Sequence, residues 1–163
     1  MKRYGLHAAL SASIIVLDQL TKALIVKTVS FYGSIAVIPG FLELTHIHNK
    51  GAILGIFNRT EQPWTPVLLL LLNAVALGLV IFYFSKTTEK ERVARLALAM
   101  IVGGALGNVV DRITRGYVVD FVEMHVGKFH WPTYNVADAS ITIGAVLLIS
   151  SVIFRRPHAS DSV

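Results

Sequence analysis

The sequence predicts an all-α membrane protein with four transmembrane helices, a small extracytoplasmic β-sheet and a loop or short helix at the membrane surface. Three observations lead there. Hydrophobic residues make up 54% of the 163-residue chain and charged residues 15%, against about 25% charged in a soluble domain. The apolar residues run together in long blocks instead of alternating with polar ones. Basic residues stand at the ends of those blocks, where they set membrane orientation. The net charge of +5 makes no case for nucleic acid, since no basic stripe interleaved with aromatics is present. The absence of cysteine excludes thiol nucleophiles, disulfides and Cys-ligated metals.

Lys2 and Arg3 precede the first block, residues 6–29, broken only near its far end by Asp18, Gln19 and Lys22. It reads as a retained helix over 6–28, because the short apolar core and small-residue cleavage site of a signal peptide are lacking. Residues 30–65 form the first extracytoplasmic loop. Within it, Pro39-Gly40 and Asn49-Lys50-Gly51 mark turns around residues 41–48, whose composition and partial alternation favour a strand, so a two- or three-stranded sheet is expected there. Residues 52–57 are apolar and suited to the bilayer surface. Pro66 suits the first turn of a helix. The span 67–84 follows, with Asn73 as its one strongly polar residue; at 1.5 Å per residue it is about 27 Å long.

Residues 85–95 are a charged connector, and the third span, 94–111, is rich in glycine. Gly103 and Gly107 have the four-residue spacing that lets membrane helices approach closely, and Gly104 adds a second flat spot. Residues 112–136 form the second loop, and the last span, 137–154, is closed by Arg155-Arg156. Trp64, Trp131 and Tyr134 are placed as interfacial anchors. The chain 1–163 thus reads as one membrane-embedded domain with no internal repeat.

Orientation follows the positive residues. Lys2, Arg3, Lys86, Lys90, Arg92, Arg95, Arg155 and Arg156 lie densely around helix ends on one side. Lys22, Lys27, Lys50, Arg59, Arg112, Arg115 and Lys128 are spread over the other. The dense side is assigned to the cytoplasm, with both termini.

Four aspartates then map to the opposite face, at or near span ends: Asp18, Asp111, Asp120 and Asp138. Asp18 with Lys22, and Asp111 with Arg115, are spaced i,i+4 with the acid first, the favourable order for a structural ion pair. Arg112 is expected to offer its planar fork to another carboxylate or to a ligand's headgroup. Asp120, in Val118-Val119-Asp120-Phe121-Val122, and Asp138, three residues after a candidate N-cap Asn135, have no such local partner. Capping would explain Asp138 alone. Two unexplained carboxylates on one face, in apolar surroundings, point instead to a hydrolytic pair. Such a pair shares a proton, so that one member can activate water while the other protonates a leaving amine. The helix N-terminus is expected to favour the anion on Asp138 and the apolar neighbours the acid on Asp120, so Asp138 is expected to be the more acidic member. Asn108 and Asn135 are placed either to orient the aspartates or to cap helices.

Other chemistries are poorly served. The six histidines form no His-Glu-x-x-His helix, so no metal and no cofactor are expected. Gly-x-Ser-x-Gly is absent, which disfavours a nucleophile-elbow serine hydrolase. A small proton-coupled transporter is the alternative, but it would place its acids near mid-membrane and show repeat symmetry. An assembly factor using the Gly103 and Gly107 face would leave Asp120 and Asp138 without a purpose.

Five segments together resemble the lipoprotein signal peptidases (signal peptidase II), over nearly the whole chain: Asp18-Gln19-Leu20-Thr21-Lys22, residues 49–55, Gly103 to Asn108 with Asp111-Arg112, Val119-Asp120-Phe121, and Asn135-Val136-Ala137-Asp138. The resemblance implies a four-span bacterial inner-membrane enzyme that works near the outer leaflet. It implies an aspartic endopeptidase that cleaves a prolipoprotein just before its diacylglyceryl-modified cysteine. Asp120 and Asp138 would be the catalytic pair, with Asn49, Gly51, Asn108, Arg112 and Asn135 around the substrate, and Asp18, Lys22 and Asp111 as structural polar residues. The partners expected are lipid-modified prolipoproteins and membrane phospholipids, with the enzyme a monomer. Tyr134 stands where the family often has phenylalanine, and Ile53-Leu54 replace a more usual alanine–aromatic pair. Residues 49–58 are expected to act as a lid over the site.

Overall fold

The computed structural model describes residues 2–50 and 65–154. Gly51, the apolar segment 52–57, most of the expected lid and Trp64 lie outside the described residues. Four helices are long and apolar enough to cross a membrane: α1 (Lys2–Thr28), α2 (Thr65–Lys86), α3 (Arg92–Thr114) and α4 (Val136–Ile153). A four-stranded antiparallel sheet, in the order β1 (Ser34–Ile38), β2 (Leu42–Asn49), β3 (Val118–Val126), β4 (Phe129–His130), completes the architecture. The fold class read from sequence is therefore the observed one, a mostly helical membrane protein with a small sheet.

The sheet differs from expectation in its origin. Only β1 and β2 come from the first loop; β3 and β4 come from the second, for which the sequence suggests no more than a connection. The segment Val118–Val126 is rich in β-branched and apolar residues, as a half-buried strand requires. Its pairing with β2 ties the two loops together. Ile25 and Val29 at the end of α1 pack against Val119 and Phe121 of β3, with Val136 of α4 beside them. The sheet is thereby seated on the helix ends that carry the aspartates.

α3 is the central helix. Half of its apolar window is buried within the protein, against 6% for α2. Glycines make this possible. A Cβ on Gly103 would stand 2.9 Å from the Ser11 carbonyl oxygen of α1, and one on Gly144 of α4 would stand 2.7 Å from the Ala97 carbonyl oxygen of α3. A Cβ on Gly104 would strike the Ala137 carbonyl oxygen. The small-residue face expected at Gly103 and Gly107 thus docks α1, and Gly104 docks α4. Without a hydrophobic drive between helices in lipid, such close backbone approach is what association rests on.

Adding a methyl at Gly104 forces backbone apart, since the obstructing atom belongs to a helix and not to a side chain. Gly104→Ala is expected to lower stability by about 1–3 kcal/mol, read as a reduced thermal midpoint in detergent. Gly78→Ala, where a Cβ meets nothing within 4 Å, should match or exceed the parent, because alanine is the better helix former. Equal midpoints for the two variants would contradict the α3–α4 contact.

Candidate active site

The site is built where α1, α3 and α4 meet β3. Along α3, residues 103, 107 and 111 form one i,i+4 row toward α1, and residues 104, 108 and 112 form the next, toward α4. Each row begins with glycine and ends in polar groups. A Cβ on Gly107 would lie 2.8 Å from Asp18 Oδ2, so the absence of a side chain there makes room for a carboxylate.

Asp18, Lys22 and Asp111 are fully buried. The Lys22 ammonium donates to Asp18 Oδ2 at 2.8 Å, to Asp111 Oδ2 at 2.8 Å and to Asn108 Oδ1 at 3.2 Å. Arg115 closes on Asp111 Oδ1 from the end of α3. Gln19 donates to Asp18, to the Gly107 carbonyl and to Asp111, and its Oε1 accepts from Arg115 at 3.3 Å. Two formal negative charges meet two positive ones, so the cluster carries no net charge. The i,i+4 pairs expected at Asp18–Lys22 and Asp111–Arg115 both form. Lys22 joins them into one network, a link that spacing along the sequence does not reveal. Nor does spacing single out Gln19; the available signal is its place beside Asp18 in an otherwise apolar helix.

α4 begins against this cluster. Asn135 is its N-cap, and its Oδ1 accepts from the Asp138 backbone N–H at 2.9 Å. The Ala137 N–H donates to Asp18 Oδ1 at 2.9 Å, so one free amide of the first turn is capped by its own helix and another by α1.

Asp138 lies in that first turn, and its Oδ1 accepts from Asn108 Nδ2 at 2.7 Å. Asp120 is 1% exposed and lies on β3 between two buried apolar residues. Its Oδ1 accepts from Asn135 Nδ2 at 2.7 Å and its Oδ2 from Asn49 Nδ2 at 2.9 Å. Asn135 therefore spans the two aspartates, donating to one side chain and accepting from the backbone of the other. It both caps and orients, while Asn108 orients. Two backbone features produce this. Tyr134 pairs with Val122, its carbonyl accepting from the Phe121 and Val122 N–H groups at 3.0 and 2.8 Å, which fastens the start of α4 to β3. In β2, a bulge between Leu44 and Ile47 shifts the register so that Asn49 opposes Val118 and shares a face with Asp120. Without that extra residue the alternation would turn Asn49 away.

Burial pushes the Asp120 carboxyl up to about 6. The amides of Asn49 and Asn135 oppose that shift, the nearby Asp138 adds to it, and the positive charge of Lys22 opposes it. Arg112 is half-buried within electrostatic reach of Asp138 and Asp120. Its described hydrogen bond returns to the Asn108 carbonyl at 3.2 Å. His46 bonds the Val29 carbonyl oxygen at 3.0 Å and His48 stacks on Tyr117 at 3.7 Å, so both are packing residues of the sheet. Among the described residues, no group of three or more His, Asp or Glu is arranged to hold a metal ion.

Residues 10–154 match the family profile of signal peptidase (SPase) II. The chain is 40% identical over 146 residues to the lipoprotein signal peptidase of Desulforapulum autotrophicum, covering 90% of each. It is 45% identical over 140 residues to that of Burkholderia pseudomallei strain K96243, covering 86% of this chain and 82% of the relative. Two solved bacterial membrane enzyme structures, obtained by the in meso method at 1.9 and 2.3 Å resolution, superpose with TM-scores of 0.82 and 0.83 at 30% and 28% identity. They cover 93% and 98% of this chain, and the matches extend over 95% and 94% of their own lengths.

A carboxyl that holds its proton more tightly when folded stabilises the fold at low pH. That contribution is present below the ordinary value near 4 and is lost as pH rises through about 6. Asp120→Asn cannot ionise. Relative to the parent, it should gain stability between pH 4 and pH 7, by up to about 3 kcal/mol at ~1.4 kcal/mol per pH unit. The difference in thermal midpoint between variant and parent, followed across that range, checks this. A difference independent of pH would show that Asp120 ionises without penalty.

Proposed function

The chain belongs to the signal peptidase II family, and we propose that it removes signal peptides from diacylglyceryl-modified prolipoproteins, with Asp120 and Asp138 as an aspartic catalytic pair. Family membership makes it a peptidase and a multi-pass bacterial membrane protein. The aspartic chemistry rests on one observation: two aspartates from separate elements, joined through Asn135 by the side chain of Asp120 and the backbone N–H of Asp138, each carboxylate held by an asparagine amide. Asp120 is buried and Asp138 half-buried, and neither has a cationic partner at hydrogen-bond distance among the described residues.

Asp138, in the first turn of α4, has the helix dipole to favour its negative charge. Asp120, on a buried strand, holds the proton. Water loses a proton to the Asp138 carboxylate as its oxygen bonds to the scissile carbonyl carbon. The C–N bond then breaks as the departing nitrogen takes the proton from Asp120. The pair ends with the same number of protons, on exchanged partners. Cleavage falls on the N-terminal side of the lipidated cysteine. Asn49, Gly51, Asn108, Arg112 and Asn135 surround the substrate, and the open fork of Arg112 suits a lipid headgroup or peptide carbonyl.

The termini are cytoplasmic, the sheet is extracytoplasmic and the site lies near the outer leaflet, where the diacylglyceryl anchor holds the scissile bond at the depth of the carboxylates. The working unit is a monomer among phospholipids. The transporter reading gains no support from the relatives described above, which are lipoprotein signal peptidases.

In detergent, with a diacylglyceryl-modified precursor peptide, Asp120→Asn and Asp138→Asn should each abolish measurable cleavage while remaining folded. Either variant cleaving at the parental rate would defeat the pair. For the parent, kcat/KM should decline as pH rises past about 6, because the free enzyme then loses the Asp120 proton. A rate that instead climbs through that range would reverse the roles of the two aspartates.

A further inference from the structure

We propose that Lys22 is a positioning residue for the hydrolysis. Its ammonium fixes the Asn108 side-chain amide so that Oδ1 of Asp138 can only accept, leaving Oδ2 as the oxygen that exchanges protons with water. The inference rests on Asp138 being catalytic and assigns to a buried lysine a role beyond neutralising its neighbours.

An ammonium donates and never accepts. The Asn108 atom 3.2 Å from Lys22 Nζ must therefore be the amide oxygen. The NH2 group is then turned to the opposite side, where it meets Asp138 Oδ1 at 2.7 Å. Flipping the amide would aim its N–H groups at the ammonium and present an oxygen to a carboxylate oxygen. That state becomes accessible only if Asp138 carries a proton on Oδ1, so the ammonium excludes one of the two oxygens as a protonation site. Asn135 Nδ2 gives one proton to Asp120 Oδ1 at 2.7 Å and its other is within reach of Asn108 Oδ1 at 3.3 Å, but it is a neutral donor and constrains the amide less than the charged ammonium does. Among the described residues Asp138 Oδ2 has no hydrogen-bond partner. It is the oxygen open to a water.

The lysine is itself held. Asp18 and Asp111 take its other two protons, from α1 and α3, at 2.8 Å each. Asp18 also accepts from the Ala137 N–H, one residue before Asp138. The orientation of the amide and the position of the helix turn that carries the carboxylate are thus referred to the same group.

Lys22→Met alone leaves two buried carboxylates short of a partner and is expected to fold poorly. The double change Asp18→Asn/Lys22→Met keeps the cluster neutral, and the amide oxygen that replaces the Asp18 carboxylate can still accept from the Ala137 N–H. For this double variant kcat should fall about 10- to 100-fold, as for loss of other outer supporting residues, while KM for the lipidated peptide changes little. In an Asn108→Ala background the same double change should cost no further kcat, because the lysine would have nothing left to orient. A folded double variant with parental kcat, or losses that simply multiply across the cycle, would overturn the role given to Lys22. Full activity in Asp138→Asn would instead defeat the catalytic assignment, so the two failures are distinct.

Discussion

One ammonium group, that of Lys22, is the constraint from which the arrangement follows. It has no solvent contact and uses each of its three protons on a different side chain. A bare charge at this depth would be prohibitively costly, and even a paired one is stable only when geometry and hydrogen bonding are complete. Completeness here requires α1 to bring Asp18 from one turn earlier, and α3 to bring Asn108 and Asp111 from one face. It also requires glycines at positions 104 and 107 to let α4 and the carboxylate come close enough. The helix crossing angles are then not free, because any shift that lengthens one of the three bonds leaves a buried charge short of a partner. Burial of apolar area between membrane helices could not impose this, since lipid tails compete equally for the same surfaces.

The sheet solves a different problem. A carboxylate on a helix end is within reach of backbone amides and water; the proposed pair needs a second one, brought in buried from another element. β3 does this by placing Asp120 between Val119 and Phe121, which pack on the end of α1. The strand alone would leave the carboxyl without hydrogen bonds. Asn49 and Asn135 supply them, the first because a bulge restores it to the right face of β2, the second because Tyr134 is laddered to Val122. Removing the bulge or the bridge would cost the site a donor without touching either aspartate.

Much of this is legible in the sequence, and for identifiable reasons. Long apolar blocks interrupted by few charges can only be spans, and acid-first i,i+4 pairs can only face one another on a helix, so Asp18–Lys22 and Asp111–Arg115 are readable from spacing. Asp120 and Asp138 stand out by lacking such partners. The pairing of β2 with β3 is not readable, because the two strands are about 70 residues apart and nothing local specifies a register, still less a bulge. The third proton of Lys22 is hidden for the same reason: periodicity reports which residues share a helix face, and says nothing of which neighbouring helix that face meets.

The two carboxylates therefore differ in kind, and the difference is written into secondary structure. Asp138 occupies a helical first turn whose free amides are capped by Asn135 and Asp18, and the summed peptide dipoles behind it favour negative charge. Asp120 sits on a strand, where successive dipoles largely cancel, and its burial favours the neutral acid. On the proposed roles, a dyad built from two identical environments would have to break its symmetry when substrate arrives, whereas a helix turn and a buried strand already give these two carboxylates different surroundings.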